Sequence, residues 1–215
     1  MKKIFLENLK KVTFLYSLIK KFYLLILHFF STFKWMSIKS KKEILLNVGS
    51  GPIKGKNNWI TVDLYGADIN HDLRKGIPMK ENSVDKIYTS HMFEHIPFKD
   101  LKKFIGECYR VLKVGGELSV CVPNARLYID SYIKKEIVKS EKDMYVPAIV
   151  KTGSWIDQLN YIAYLGGLHH YMFDKENLIN TLKLSPFKNV EIRNFDQTID
   201  KKRRQRESIY ASAIK

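Results

Sequence analysis

The chain has 215 residues, 45% of them apolar, and a net charge of +15. That length and apolar content suit one α/β domain with an appendage, and its two cysteines, Cys108 and Cys121, exclude a disulfide framework or a paired-cysteine metal site and read as buried thiols of a reducing compartment. Residues 1–42 hold ten Lys and one Glu and residues 201–215 hold six Lys or Arg and one Glu, whereas 43–200 carry 21 basic and 20 acidic residues, so the evenly basic surface of a nucleic-acid binder is missing.

Residues 1–42 read as a basic amphipathic segment. At 100° per residue, Lys2, Lys3, Lys10, Lys20 and Lys21 fall within a sector of about 100°, opposite Phe5, Val12, Leu15, Ile19, Phe22 and Ile26. The apolar run Phe22 to Phe30 is too short to span a bilayer and has no small-residue cleavage site. A helix of this kind lies on an anionic membrane surface or docks on a protein. The expected location is cytoplasmic, peripheral at the inner face of the membrane.

Ile44 to Val48 is a buried-strand run that turns on Gly49-Ser50-Gly51. A second strand, Trp59 to Val62, ends in Asp63. Glycine lets backbone approach a ligand closely, and an acid at the next strand end can accept hydrogen bonds from ribose hydroxyls. Only seven residues, Pro52 to Asn58, lie between the turn and the second strand. A parallel crossover with its helix takes about ten to twelve or more, so the first crossover helix must be reduced to a turn.

A short extended segment, Ala67 to Leu73, contains Asp72, and Ser83 to Ser90 reads as a further parallel strand. Phe98 to Lys113 has apolar residues at helical spacing, with Gly115-Gly116 expected to end the helix. Glu117 to Val122 is a strand, and residues 125–172 form an aromatic, lysine-rich insert. Lys175 to Leu184 reads as a helix, and Val190 to Arg193 and Ser208 to Ile214 as closing strands that pair antiparallel. Strands alternating with helices predict an α/β sheet with helices packed on its faces. The Lys201–Arg206 run reads as a solvated hairpin loop.

The ordered set LNVGSGP, TVDL, HDL, SVDKIYTSHMFEHI and YRVLKVGGELSVCVPN resembles class I S-adenosylmethionine-dependent methyltransferases, in particular small bacterial type 11-like members, over Ile44 to Asn124. The resemblance implies a Rossmann-like sheet over 43–215, mostly parallel with an antiparallel C-terminal hairpin, and S-adenosyl-L-methionine as cofactor. It implies that Gly49, Ser50 and Gly51 lie under the methionine part, Asp63 meets the ribose, Asp72 and Leu73 the adenine, and Ser90 and His91 the sulfonium, with Asn47 and Leu64 also among the cofactor contacts. Asn47 stands where the family usually has an acid, so that contact would lose its charge.

His91-Met92-Phe93-Glu94-His95 also matches the H-x-x-E-H zinc pattern. Here it follows a strand and precedes Pro97, so the two His need not share a helical face, and no metal is expected. His91 and His95 are the candidate bases, and His169 and His170 the candidate acceptor contacts at the cap of the site. The expected reaction is methyl transfer to a small or lipid-linked oxygen or nitrogen acceptor, such as a sugar of a cell-surface glycan. The alternative is a non-catalytic scaffold with a decayed methyltransferase fold, motivated by Asn47 and the missing helix.

Overall fold

The computed structural model describes residues 2–136 and 151–215. Seven strands form one sheet: β1 (Leu45–Val48), β2 (Trp59–Asp63), β3 (Ile69–Asn70), β4 (Val84–Ser90), β5 (Leu112–Pro123), β6 (Lys188–Ile192) and β7 (Ser208–Ile214). Their order is β3-β2-β1-β4-β5-β7-β6. The first five are parallel, and β7 runs antiparallel to both β5 and β6. The mostly parallel sheet with an antiparallel C-terminal hairpin is the architecture expected from the sequence.

Residues 49–58 join β1 to β2 without a helix, and 64–68 join β2 to β3. These links are too short to carry helices across the sheet. Alternation along the strands sorts side chains to two faces. Leu46, Val48, Ile60, Val62, Ile87, Leu118, Val120, Ala211 and Ala213 build the main core on one face. Helix α2 (Phe98–Val111) covers it with Leu101, Phe104, Ile105, Cys108 and Val111, and α5 (Lys175–Leu182) adds Leu178 and Leu182. Each large apolar side chain so buried contributes about 1.5–3 kcal/mol. The other face, with Trp59, Tyr88, Cys121 and Tyr210, packs against Phe195 and Ile199 of the β6–β7 connection. The described helices of the main core therefore cover one face, where the alternating pattern predicted helices on both.

That loop face is pinned by one ion pair. Arg193 donates to Asp200 at 2.6 and 2.9 Å, and the Tyr88 hydroxyl donates to the same carboxylate at 3.0 Å. The Asp200 side chain is 1% exposed, so these donors take the place of the water it has lost.

Helix α2 stops at Val111, before the expected glycine stop. Leu112 is already extended and pairs with Val84 of β4. The N–H groups of Asn82 and Ser83 take the carbonyls of Arg110 and Val111 at 3.1 and 2.8 Å. Sheet pairing thus ends the helix, and Gly115 and Gly116 lie inside β5.

The first helix, α1 (Lys2–Ile38), packs on the domain at its far end. Trp35 and Ile38 enter the main core, Trp35 meets His71 edge to face, and Ser31 donates to the Asn70 carbonyl. Among the described residues no helix is long and apolar enough to cross a membrane.

The insert starts with α3 (Ala125–Lys134) and resumes, beyond 137–150, which lie outside the described residues, with α4 (Ile156–Tyr164). The two share a small core of Tyr128 and Ile162 with Leu127 and Leu159 around it. A parallel bridge between Asn124 and Phe173 returns the chain to the end of β5.

Asp68 holds the shortened first half together. Its carboxylate accepts from the N–H groups of Gly55 at 2.8 Å and Thr61 at 3.1 Å, clipping the helix-free link to β2. Burial alone would raise its pKa, but these donors outweigh it and hold the carboxyl below its usual value. Asp68→Ala is expected to cost about 1–3 kcal/mol in urea unfolding. A folded pKa lower than the unfolded one stabilises above the unfolded value, so the wild-type advantage should fade as pH drops below 3.8 and through the lower folded pKa. Equal unfolding free energies at neutral pH would refute the clip.

Candidate active site

The strand order reverses at β1, which pairs with β2 on one side and β4 on the other. Ligands of open α/β sheets bind at the carboxyl ends of the strands at such a reversal. There the chain has a cleft of about 600 Å³, inside the usual ligand-site range of about 300–1,000 Å³.

The turn after β1 forms its floor. Gly49 and Ser50 donate to the Val62 carbonyl at 2.9 and 3.4 Å, and Gly51 donates to Asp63 Oδ2 at 2.8 Å. Asp63 Oδ1 accepts from the Leu64 N–H at 2.7 Å. The acid at the end of β2 thus braces the glycine turn while it lines the cleft. Gly49 and Gly51 have φ of +68° and +73°. A Cβ at Gly49 would stand 2.3 Å from Met92 Sδ, whereas one at Gly51 would meet nothing within 4 Å. Gly49 is required by packing. Gly51 leaves room over the turn, which is what a cofactor laid across it needs.

Beyond β3, Asp72 caps the turn Leu73–Lys75 and forms a two-point pair with Arg74, both bonds 2.8 Å. The Arg74 hydrogen bond holds the Asp72 carboxyl below its usual value. Arg74 is 78% exposed and carries little of the fold. Leu73 is buried at the cleft wall.

Beyond β4 the chain turns sharply. His91 has φ of +53°, a left-handed conformation uncommon outside glycine, and its N–H donates to the Cys121 carbonyl at 2.8 Å. Its Nε2 and Ser208 Oγ share a hydrogen bond of 2.8 Å. Burial first, then the charge of Arg204, holds His91 well below its ordinary pKa, so it is neutral. Glu94 has a side chain 1% exposed, and neither carboxylate oxygen accepts a hydrogen bond. Burial pushes its carboxyl up to about 8. His91 Nδ1 and His95 Nε2 lie 3.6 and 4.0 Å from Glu94 Oε1.

Gly49, Ser50, Gly51, Asp63, Leu64, Asp72, Leu73, Ser90, His91 and His95 all line the cleft. Asn47 does not. It sits inside β1, across from Thr61 and Tyr88, and strand alternation turns it to the loop-covered face, where its Oδ1 is buried without a hydrogen bond. His170 is exposed outside the cleft and donates its backbone N–H to the Glu94 carbonyl at 2.7 Å. His169 is buried behind His95, with ring centroids 4.7 Å apart.

Several cleft residues had no sequence signal, Arg204 among them. Arg204 belongs to the basic run expected to be solvated, yet it lines the cleft and donates to Ser90 Oγ at 2.8 Å. Pairing of Pro123 with Ser208 brings that loop to the end of β4. Only long-range register could reveal it.

A methyl at Gly49 forces Met92 aside at a positive φ, while one at Gly51 adds strain alone, about 1–2 kcal/mol. Gly49→Ala is therefore expected to lower the melting temperature more than Gly51→Ala. Gly51→Ala should keep the fold and weaken cofactor binding in calorimetry. The reverse ranking in thermal melts would show that the turn is packed differently.

Residues 50–120 match the family model described as a methyltransferase domain. No curated protein matches the chain. Solved structures that resemble it include S-adenosylmethionine-dependent methyltransferases from Archaeoglobus fulgidus (15% identity, 85% of this chain and 90% of that one, TM-score 0.48) and Mesorhizobium loti (16%, 85% and 96%, 0.46). Another is from Thermotoga maritima (15%, 94% and 96%, 0.47). Such distant likenesses carry no weight here. The family match runs from the glycine turn through β5, the stretch of sheet that builds most of the cleft. On that match residues 50–120 form a methyltransferase domain, which makes the chain a transferase with S-adenosyl-L-methionine as its cofactor.

Proposed function

We propose that the enzyme methylates a small or lipid-linked acceptor presented at a membrane surface, a sugar of a cell-surface glycan being one acceptor of that kind. The observation that carries this reading is the orientation of α1. Ser31, Trp35 and Ile38, the residues that dock on the domain, lie in the same sector of the helix as the lysines. The opposite arc, which includes Leu15, Ile19, Phe22, Ile26, Phe29 and Phe33, faces away from the domain and is exposed. An apolar arc flanked by lysines suits insertion into an anionic interface, where each basic residue near the surface adds about 1 kcal/mol.

S-adenosylmethionine brings its own leaving group, so the chain has chiefly to align the partners, a contribution of up to about 7–11 kcal/mol. In this reading the Gly49–Gly51 turn would hold the methionine part, Asp63 the ribose, and Asp72 with Leu73 the adenine, all of which line the cleft. Ser90 and His91 would lie beside the sulfonium, with His91 and His95 as the candidate bases. The two grounds for a non-catalytic scaffold do not bear on this site. Asn47 lies outside the cleft, and the missing crossover helix leaves the glycine turn braced by Asp63.

Titration calorimetry with S-adenosylmethionine tests the cofactor residues. Asp63→Ala is expected to weaken binding tenfold or more, about 1.4 kcal/mol, and unchanged affinity would remove Asp63 from the site. His95→Ala should reduce turnover at least tenfold with cofactor affinity kept. Full activity would remove His95 from the acceptor side. Sedimentation with phosphatidylglycerol vesicles tests the surface reading. Wild-type chain should pellet with them, and Phe22→Glu with Phe29→Glu should stay in the supernatant. A wild-type chain that never pellets would overturn it.

A further inference from the structure

We infer that Glu94, His95 and His169 form a binding site for a divalent transition-metal ion, with an open coordination position turned toward the cofactor cleft. One ligand atom from each residue can be chosen so that all lie within 4.8 Å of one another. They come from distant parts of the chain. Glu94 and His95 sit on the turn after β4, and His169 stands at the end of the insert.

Two features mark this as more than a chance cluster. The first is Glu94, a carboxylate 1% exposed whose oxygens accept no hydrogen bond. Buried carboxyl groups are ordinarily paired or hydrogen-bonded, because stripping a polar group of water is costly. A cation between Glu94 and the two imidazoles supplies that missing partner. The second is how the imidazoles are held. His95 Nδ1 donates to the Leu168 carbonyl at 3.0 Å, and His169 Nδ1 donates to the Ile162 carbonyl at 2.6 Å. A carbonyl only accepts, so in both rings the proton is on Nδ1 and the lone pair on Nε2. Metal-binding histidines are oriented in this way, by a second hydrogen bond to backbone. His95 Nε2 already faces Glu94 Oε1, at 4.0 Å.

The H-x-x-E-H spacing does not itself make the site. Its last two residues are ligands, but His91 is turned aside by its positive φ, with Nε2 held on Ser208. His169 takes the third place. Two imidazoles and one carboxylate favour zinc, cobalt or iron over magnesium or calcium, which prefer oxygen alone. Three protein ligands leave a position for water or substrate, the pattern of a catalytic ion. Metal–ligand bonds of about 2.0–2.2 Å require these atoms to draw together. His95, 37% exposed, has room to move.

Of the three residues His95 lines the cofactor cleft, while Glu94 and His169 line a separate small cavity, so an ion held by all three would reach the cleft on the His95 side. This part rests on the methyltransferase reading above. An acceptor hydroxyl bound there loses its proton to solvent, because the cation lowers its pKa. The O–CH₃ bond then forms as the S–CH₃ bond of the cofactor breaks, and the sulfonium becomes a neutral thioether. The acceptor is thus a hydroxyl, and the cation takes the role assigned from sequence to a free histidine base.

The test uses the tag-free full chain, stripped with chelator and titrated with Zn²⁺ by calorimetry and with Co²⁺ by visible absorption, without cofactor. One ion per chain and ligand-field bands of low-symmetry Co²⁺ are expected. His95→Ala, an exposed change that should leave the fold intact, and Glu94→Gln should each weaken binding about a hundredfold or more. His170→Ala, next to the cluster but outside it, should not. Absence of binding at sub-millimolar metal would overturn the site, as would binding unchanged in His95→Ala and Glu94→Gln. Because the readout is metal alone, failure here leaves cofactor binding standing, and failure to bind cofactor leaves the metal site standing. The acceptor role has its own readout: turnover of the stripped enzyme should fall at least tenfold and return with Zn²⁺ or Co²⁺, and turnover indifferent to metal would overturn it.

Discussion

The constraint on which this structure depends is the ten-residue connection, 49–58, between two adjacent parallel strands. A parallel crossover of ordinary length would carry a helix over the sheet. Here the chain can only turn, cross, and be clipped by the Asp68 carboxylate to Gly55 and Thr61. The second connection, 64–68, is shorter still. With no helices available from that half, the end of α1 comes in, placing Trp35 and Ile38 in the core beside Ile60 and Ile69. The opposite face is closed by the β6–β7 connection, held by the Arg193–Asp200 pair and the Tyr88 hydroxyl.

The same economy shapes the cleft. The glycine turn has no following helix to fix it, and Asp63 takes over part of that work by accepting from both Gly51 and Leu64. Because the β6–β7 connection must reach across the sheet to cover it, Arg204 arrives at the end of β4 and bonds to Ser90. A residue from near the end of the chain thereby joins a site otherwise built from residues 49–107. The turn after β4 is closed in a comparable way. The insert closes on the turn after β4 through His95 to Leu168 and His170 to Glu94, and so delivers His169 to a buried carboxylate. The function proposed for α1 follows from the docking geometry: the face that holds the domain is the lysine side, which leaves the apolar arc outward.

Local pattern carried far where the physics is local. The apolar runs of β1 and β4, the helical spacing of Leu101 to Val111, and the need for φ above zero at Gly49 and Gly51 all follow from neighbouring residues. The short link after Gly51 predicted the absent helix, because chain length alone limits what a crossover can hold. Where two local signals competed, pattern failed. The glycine pair at 115–116 looks like a helix stop, yet pairing of Leu112 with Val84 ends the helix first. Asn47 stands where the resemblance expects an acid, but alternation carries its side chain to the loop-covered face.

By itself the sequence determined the order of the elements, the glycine turn and the strand-end acids, since these depend on spacing, residue volume and backbone freedom. It also determined that the charge is held at the chain ends. The tertiary structure alone decided which of the histidines meet, because His91, His95 and His169 are brought around Glu94 by a strained turn and by an insert returning from far along the chain. It decided too that Arg204 reaches Ser90, which follows from the register of β7 on β5. Contacts between residues more than 70 positions apart leave no periodic trace in sequence, and burial, which sets the state of His91 and Glu94, exists only once the layers have packed.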